Sequence, residues 1–220
     1  MWLEGILLLV ALAAALAARP WRMLASHKPL AHESHGAPSA LWTPLLATLV
    51  FLPWLWALPT LHAMPLQLQW SGACLVVLML GWPLAIPALI AVGTVASVIS
   101  PTLAWADALG ATVWLGVVPA TLALGLGALV RRYTGTQPFV YVLGRAFLGT
   151  VVCVFAAGVL SQWSGHLLPG VGDELSLVAR WLMAWGDGFV TGMLAAIFVA
   201  FKPEWLATWS DRLYLHGPKP

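Results

Sequence analysis

Apolar residues in this chain come in long runs, broken by short polar connections that carry Gly and Pro. They lack the two-residue alternation of a half-buried strand. A helix needs about 20 mostly apolar residues to cross a hydrocarbon core. Seven runs read as crossings: Trp2–Ala18, Leu41–Thr60, Leu66–Leu80, Trp82–Ser100, Trp105–Val130, Phe139–Trp163 and Leu175–Phe201. The third is short, and only Gly81-Trp82-Pro83 separates it from the fourth, so the pair reads as a tight hairpin or one broken helix. Six crossings is the alternative count. The first run ends in small residues near Ala17-Ala18, but it carries Glu4 and no Lys or Arg before Arg19, so it reads as a retained helix rather than a cleaved leader. The fold class this pattern predicts is all-α, a polytopic transmembrane bundle forming a single domain over residues 1–220.

Charge sets the orientation. Arg19, Arg22 and Lys28 follow the first run, Arg131 and Arg132 lie between the fifth and sixth, and Lys202, Arg212 and Lys219 follow the last. The alternate connections hold His62, then Asp107, then His166 with Asp173 and Glu174. Basic loops stay on the cytoplasmic side, so seven crossings place the N-terminus outside and the C-terminus inside. Six would move the Arg19–Lys28 loop outside, against that rule.

Composition makes lipid the solvent. Apolar residues are 61% of the 220 and charged ones 8%, against about 45–50% and about 25% in soluble domains. The mean hydropathy is +0.89. A net charge of +2 with scattered Lys and Arg argues against a nucleic-acid partner. Of fourteen tryptophans, Trp2, Trp21, Trp42, Trp82, Trp105, Trp163 and Trp205 fall near run ends, the headgroup level. Trp54, Trp56, Trp114 and Trp185 lie deeper and read as core aromatics.

Ionisable residues inside crossings are functional candidates by default: here Glu4, Arg145, Arg180 and Asp187. At about 1.5 Å per residue, Asp187 lies roughly 18 Å below the outer face and Arg145 roughly 9 Å above the inner one. In a core about 30 Å thick those levels are close, which predicts an Asp187–Arg145 salt bridge. Glu4 and Arg180 both sit near the outer face. Each pair has two readings, a staple between helices or a part in substrate passage and gating. His27, His32 and His35, with Glu33, offer nitrogen and oxygen at metal-like spacing in the first loop, either a divalent-ion site or a solvated loop. Cys74 and Cys153 read as buried thiols, and Gly188-x-x-x-Gly192 as a close helix contact. No G-x-S-x-G, H-E-x-x-H or phosphate-cradling G-x-x-x-x-G-K occurs, so an enzyme is not expected and no resident cofactor is implied.

The stretch Gly186-Asp187-Gly188-Phe189-Val190-Thr191-Gly192-Met193, continuing to Lys202-Pro203-Glu204-Trp205 and Asp211-Arg212-Leu213-Tyr214-Leu215, resembles the end of the CbiM-like permeases. These are substrate-binding membrane components of energy-coupling-factor transporters for cobalt or nickel, and the likeness is to their uncharacterised branch. Gly81-Trp82-Pro83-Leu84-Ala85 and Phe139-Val140-Tyr141 are similar too. The resemblance implies a multi-pass protein of a bacterial inner membrane, with ATPase and coupling subunits as partners. It also makes Thr191 a binding or gating candidate beside Asp187. Metal-transporting members begin Met-His, using that histidine and the free amino end as ligands, and carry a second histidine at the third helix. This chain has Trp2 and Gln69 there, so the resemblance does not carry the family's metal site with it. Two functions follow as expectations: a permease component moving a metal ion or small solute, or a non-transporting partner that assists another membrane complex.

Overall fold

The computed structural model describes residues 2–25, 39–61, 69–100, 105–135, 137–166, 168, 172–210 and 214. Every described element is helical: α1 (Trp2–Ala17), α2 (Trp21–Ala25), α3 (Trp42–Leu61), α4 (Ala73–Leu80), α5 (Trp82–Ile99), α6 (Trp105–Ala111), α7 (Val118–Thr134), α8 (Gly149–Trp163) and α9 (Asp173–Phe201). A π-helical segment, Thr112–Val117, fuses α6 to α7, and another, Val140–Leu148, precedes α8. Among the described residues, six helical stretches are long and apolar enough to cross a membrane: Trp2–Ala25, Trp42–Pro59, Trp82–Ile99, Trp105–Thr134, Val140–Trp163 and Leu175–Phe201. Their outward faces expose large apolar side chains such as Phe51, Val98, Leu129, Val152 and Phe201, as a bundle solvated by lipid requires. The chain is an all-α, multi-pass membrane protein.

The third crossing differs from its expected span. Rather than a helix over 66–80, the structure has α4, eight residues with every side chain buried. Eight residues rise about 12 Å, less than half the hydrocarbon core, so α4 is a half-helix inside the bundle. Gly72 (φ 65°) precedes it and Gly81 (φ 73°) ends it, both left-handed conformations that glycine takes without strain. The Gly81 amide closes onto the Val77 carbonyl, and Pro83 sits in the first turn of α5, where its missing N–H costs nothing.

Contacts between elements order the ends. Glu4, Gly110 and Arg180 gather around His166 at one end of the bundle. At the other, Met23 and Ala207 approach Gly81. Trp2 and the segment after α9 therefore lie at opposite ends, and the second is the end that the basic residues predict to be cytoplasmic. A reporter fused after Lys202 is expected to read cytoplasmic and one inserted at Ser164 external; the reverse would overturn the orientation.

The G-x-x-x-G of α9 packs as its spacing suggests. A Cβ on Gly188 would lie 2.5 Å from Val151 Cγ2 and 3.2 Å from the Phe147 carbonyl oxygen, and one on Gly192 3.0 Å from Phe147 Cβ. Those two missing side chains let α9 lie against α8 and the π segment before it.

Candidate functional site

A half-helix buried inside a membrane bundle has a problem at each end, because its first N–H and last C=O groups have no partners within it. Other elements supply them. Asp187 stands midway along α9 and is 2% exposed. Its Oδ2 accepts from the Ser71 amide at 3.0 Å and its Oδ1 from the Gly72 amide at 3.1 Å. The carboxylate thus caps the positive end of α4 from a different helix, where backbone dipoles favour a negative charge.

Ser71 is the hub. Its hydroxyl accepts from the Ala73 amide at 3.2 Å and donates to the Leu115 carbonyl at 2.6 Å, while its own carbonyl accepts from Trp56 Nε1 at 3.1 Å. The Leu115 carbonyl is available for a reason visible in the chain. In an α-helix it would accept from the residue four places on, but that is Pro119, which has no N–H. The helix passes through its π segment here, and the Ser71 hydroxyl takes the carbonyl. Cys74 donates to the Pro119 carbonyl at 3.9 Å, a weak sulfur contact in the same region.

The cytoplasmic end of α4 is finished by the segment after α9. The Ala207 amide donates to the Met79 carbonyl at 2.9 Å, and Thr208 donates to the Leu78 carbonyl through its amide (3.3 Å) and its hydroxyl (2.9 Å). Tyr141 and Thr208 share a hydroxyl bond at 2.8 Å, and the Tyr141 ring meets Trp209 and Tyr214 edge-on at 4.9 and 5.2 Å. The short turn Pro203–Trp205 and the residues after it seal the interior at this end.

Arg145 does not join Asp187. Both carboxylate oxygens of Asp187 face the backbone before α4, and the Arg145 guanidinium lies near the cytoplasmic end, 5.6 Å from the Tyr141 ring centroid. The levels estimated from the chain agreed, but level says nothing about which face of a helix a residue occupies.

Near the outer end, Glu4 and Arg180 are joined through His166. Glu4 Oε1 lies 3.2 Å from His166 Nε2, and Arg180 Nη2 donates to the His166 carbonyl at 2.7 Å. The Trp114 ring lies 6.0 Å from the imidazole. Three buried N–H donors have no acceptor among the described residues: Trp70 Nε1, Trp114 Nε1 and Arg180 Nε. The Thr191 hydroxyl, fully buried one turn below Asp187, also finds no partner there. His27, His32 and His35 lie outside the described residues. Among those described, no three His, Cys, Asp or Glu side chains gather in a metal-binding group.

Asp187, Arg180 and Glu4 stand out in the chain as charges inside crossings, whereas His166 reads there as a loop residue, Trp114 as a core aromatic, and Ser71 as nothing in particular. A histidine in a loop and a serine beside a glycine carry no periodic signal; the Pro119 that frees the Leu115 carbonyl was the one available clue. Comparison of the chain with family models, with curated proteins and with solved structures returned no match.

Proposed function

We propose that this protein is the substrate-binding membrane component of an energy-coupled transporter, CbiM-like in kind, whose cargo is a small solute carrying hydrogen-bond acceptors. The observation behind this reading is the interrupted third crossing. Discontinuous helices whose ends stop inside the membrane are a recurrent construction of transporters, where the freed backbone lines a route or a site. Here Ser71 and Gly72 stand at such an end, with the orphaned donors of Trp70 and Trp114 as further groups that an acceptor-bearing solute would satisfy. ATP hydrolysis would belong to separate subunits, since the chain carries no phosphate-binding motif.

Cobalt or nickel is the less suitable cargo. Trp2 is 89% exposed and has no imidazole, and the Gln69 amide is a poor substitute for one. Protein purified with its native N-terminus is expected to hold neither metal in stoichiometric amount, by elemental analysis. Metal retained and then lost on changing Gln69 would refute this; metal lost on changing His32 and His35 would move the site to the first loop.

One observation favours the second reading, a non-transporting partner of another membrane complex: both oxygens of Asp187 are already engaged by backbone amides, as in a structural staple. Affinity purification from native membranes separates the two. Co-purification of an ATPase and a coupling subunit supports the transporter; an unrelated membrane complex in their place supports the partner.

A further inference from the structure

Arg145 is an arginine inside a membrane helix with an aromatic neighbour and no anionic partner among the described residues. It lies five residues beyond Val140, about 8 Å from the cytoplasmic end of that helix. Among the described residues, its guanidinium makes neither a hydrogen bond nor an ion pair; the ion pairs there are His166–Glu4 and Lys202–Glu204. A guanidinium has five N–H donors and cannot lose its charge, so one at this depth without a partner among the described residues calls for an anion.

The side chain is nonetheless held in place. It lies flat across Gly127 of α7, where a Cβ would meet Nε at 2.8 Å and both Cζ and Nη2 at 3.1 Å. Its other constraint is the Tyr141 ring, 5.6 Å from Cζ to centroid. A side chain at 127 would push the guanidinium out of this placement. Beside it is a cavity of about 10 Å³ lined by Gly127, Arg131, Tyr141, Arg145 and Tyr214 among others. That volume takes a single oxygen atom, so an oxyanion would seat one oxygen and keep the rest at the mouth. Arg131 adds a second positive charge at the rim, and Arg132 follows it.

We propose that Arg145 and Arg131 form a binding site for a phosphate group, and that its normal occupant is the headgroup of an anionic phospholipid in the cytoplasmic leaflet. Planar guanidinium groups bind phosphate oxygens in pairs, and basic pockets between transmembrane helices on this side suit lipid headgroups. The surroundings favour lipid over a soluble phosphate. Leu129, Tyr133, Phe139 and Leu143, on the same helix ends, are exposed apolar or amphipathic side chains that acyl chains would cover.

The test is thermal unfolding of the purified full-length chain in neutral detergent, titrated with phosphatidylglycerol, phosphatidylcholine or inorganic phosphate. Native mass spectrometry of the same samples reads retained lipid. Phosphatidylglycerol is expected to raise the unfolding temperature of the unaltered protein, with phosphatidylcholine weaker. Arg145→Gln should weaken the effect about tenfold or more in half-saturating concentration, as loss of a charge-assisted pair implies. Gly127→Ala keeps the charge but displaces it and should weaken binding as well; Arg145→Lys should recover part. Inorganic phosphate matching phosphatidylglycerol would support the phosphate site while overturning lipid as its occupant. No stabilisation by either, or the same stabilisation in Arg145→Gln and Gly127→Ala, would overturn the site itself.

Discussion

Asp187→Ala is expected to destabilise the protein by about 3 kcal/mol or more, because it leaves two buried backbone N–H groups without acceptors at about 1–3 kcal/mol each. These are the Ser71 and Gly72 amides, now bonded to Oδ2 and Oδ1. Lipid offers no replacement partner, and the end of α4 also loses the charge that its dipole favours. Asp187→Asn retains one acceptor oxygen but turns an NH₂ toward the second amide, so an intermediate loss is expected. Arg145→Gln should add independently, the double variant with Asp187→Asn agreeing with the sum to within about 0.5 kcal/mol, as for sites without a shared partner. Denaturant titration of the detergent-solubilised variants measures all three. A double variant clearly more stable than the sum would restore the direct ion pair that the geometry removes.

Gly93→Ala is expected to be the most damaging of the single-methyl additions. The new Cβ would fall on the Thr112 hydroxyl, inside any van der Waals contact, with Thr112 Cβ at 3.0 Å and Cγ2 at 3.1 Å. Thr112 cannot swing away: it is buried, β-branched, and bonded through Oγ1 to the Ala108 carbonyl at 2.7 Å. Overpacking of this kind costs about 1–3 kcal/mol. Thr112→Ala in the same chain should recover part of the loss by removing the worst contact. Gly125→Ala is the control, since its Cβ would meet nothing within 4 Å. There alanine should be neutral or stabilising by about 0.5–1 kcal/mol, from helix propensity alone. Equal effects at 93 and 125 would show that α5 and the Thr112–Val117 segment are not packed as described.

The same contrast explains what was legible beforehand. Long apolar runs and loops of alternating charge are local properties, and lipid makes them decisive because a backbone in hydrocarbon must satisfy itself. Five of the seven expected crossings therefore correspond to long helices at or near their anticipated bounds, and the first extends through α2 after a break at Arg19 and Pro20. The third departs from its expected bounds for a physical reason. Leu66–Leu80 counted as apolar, but a helix that starts at Ala73 borrows its N-terminal acceptors from Asp187, more than a hundred residues away. Nothing in a local window shows that loan.

Asp187, Arg145, Glu4 and Arg180 stood out in the chain because charge is costly in a membrane, a rule that needs no coordinates. Their partners were another matter. Depth along an axis can be counted at 1.5 Å per residue, whereas azimuth depends on how each helix rotates against its neighbours, and the π segments shift that rotation. So the chain by itself determined an all-helical membrane bundle and which residues required partners, and it predicts an orientation from its basic residues. Only the tertiary structure decided that Asp187 would cap a half-helix, that His166 would stand between Glu4 and Arg180, and that Arg145 would lie across Gly127 beside Tyr141 instead of meeting Asp187.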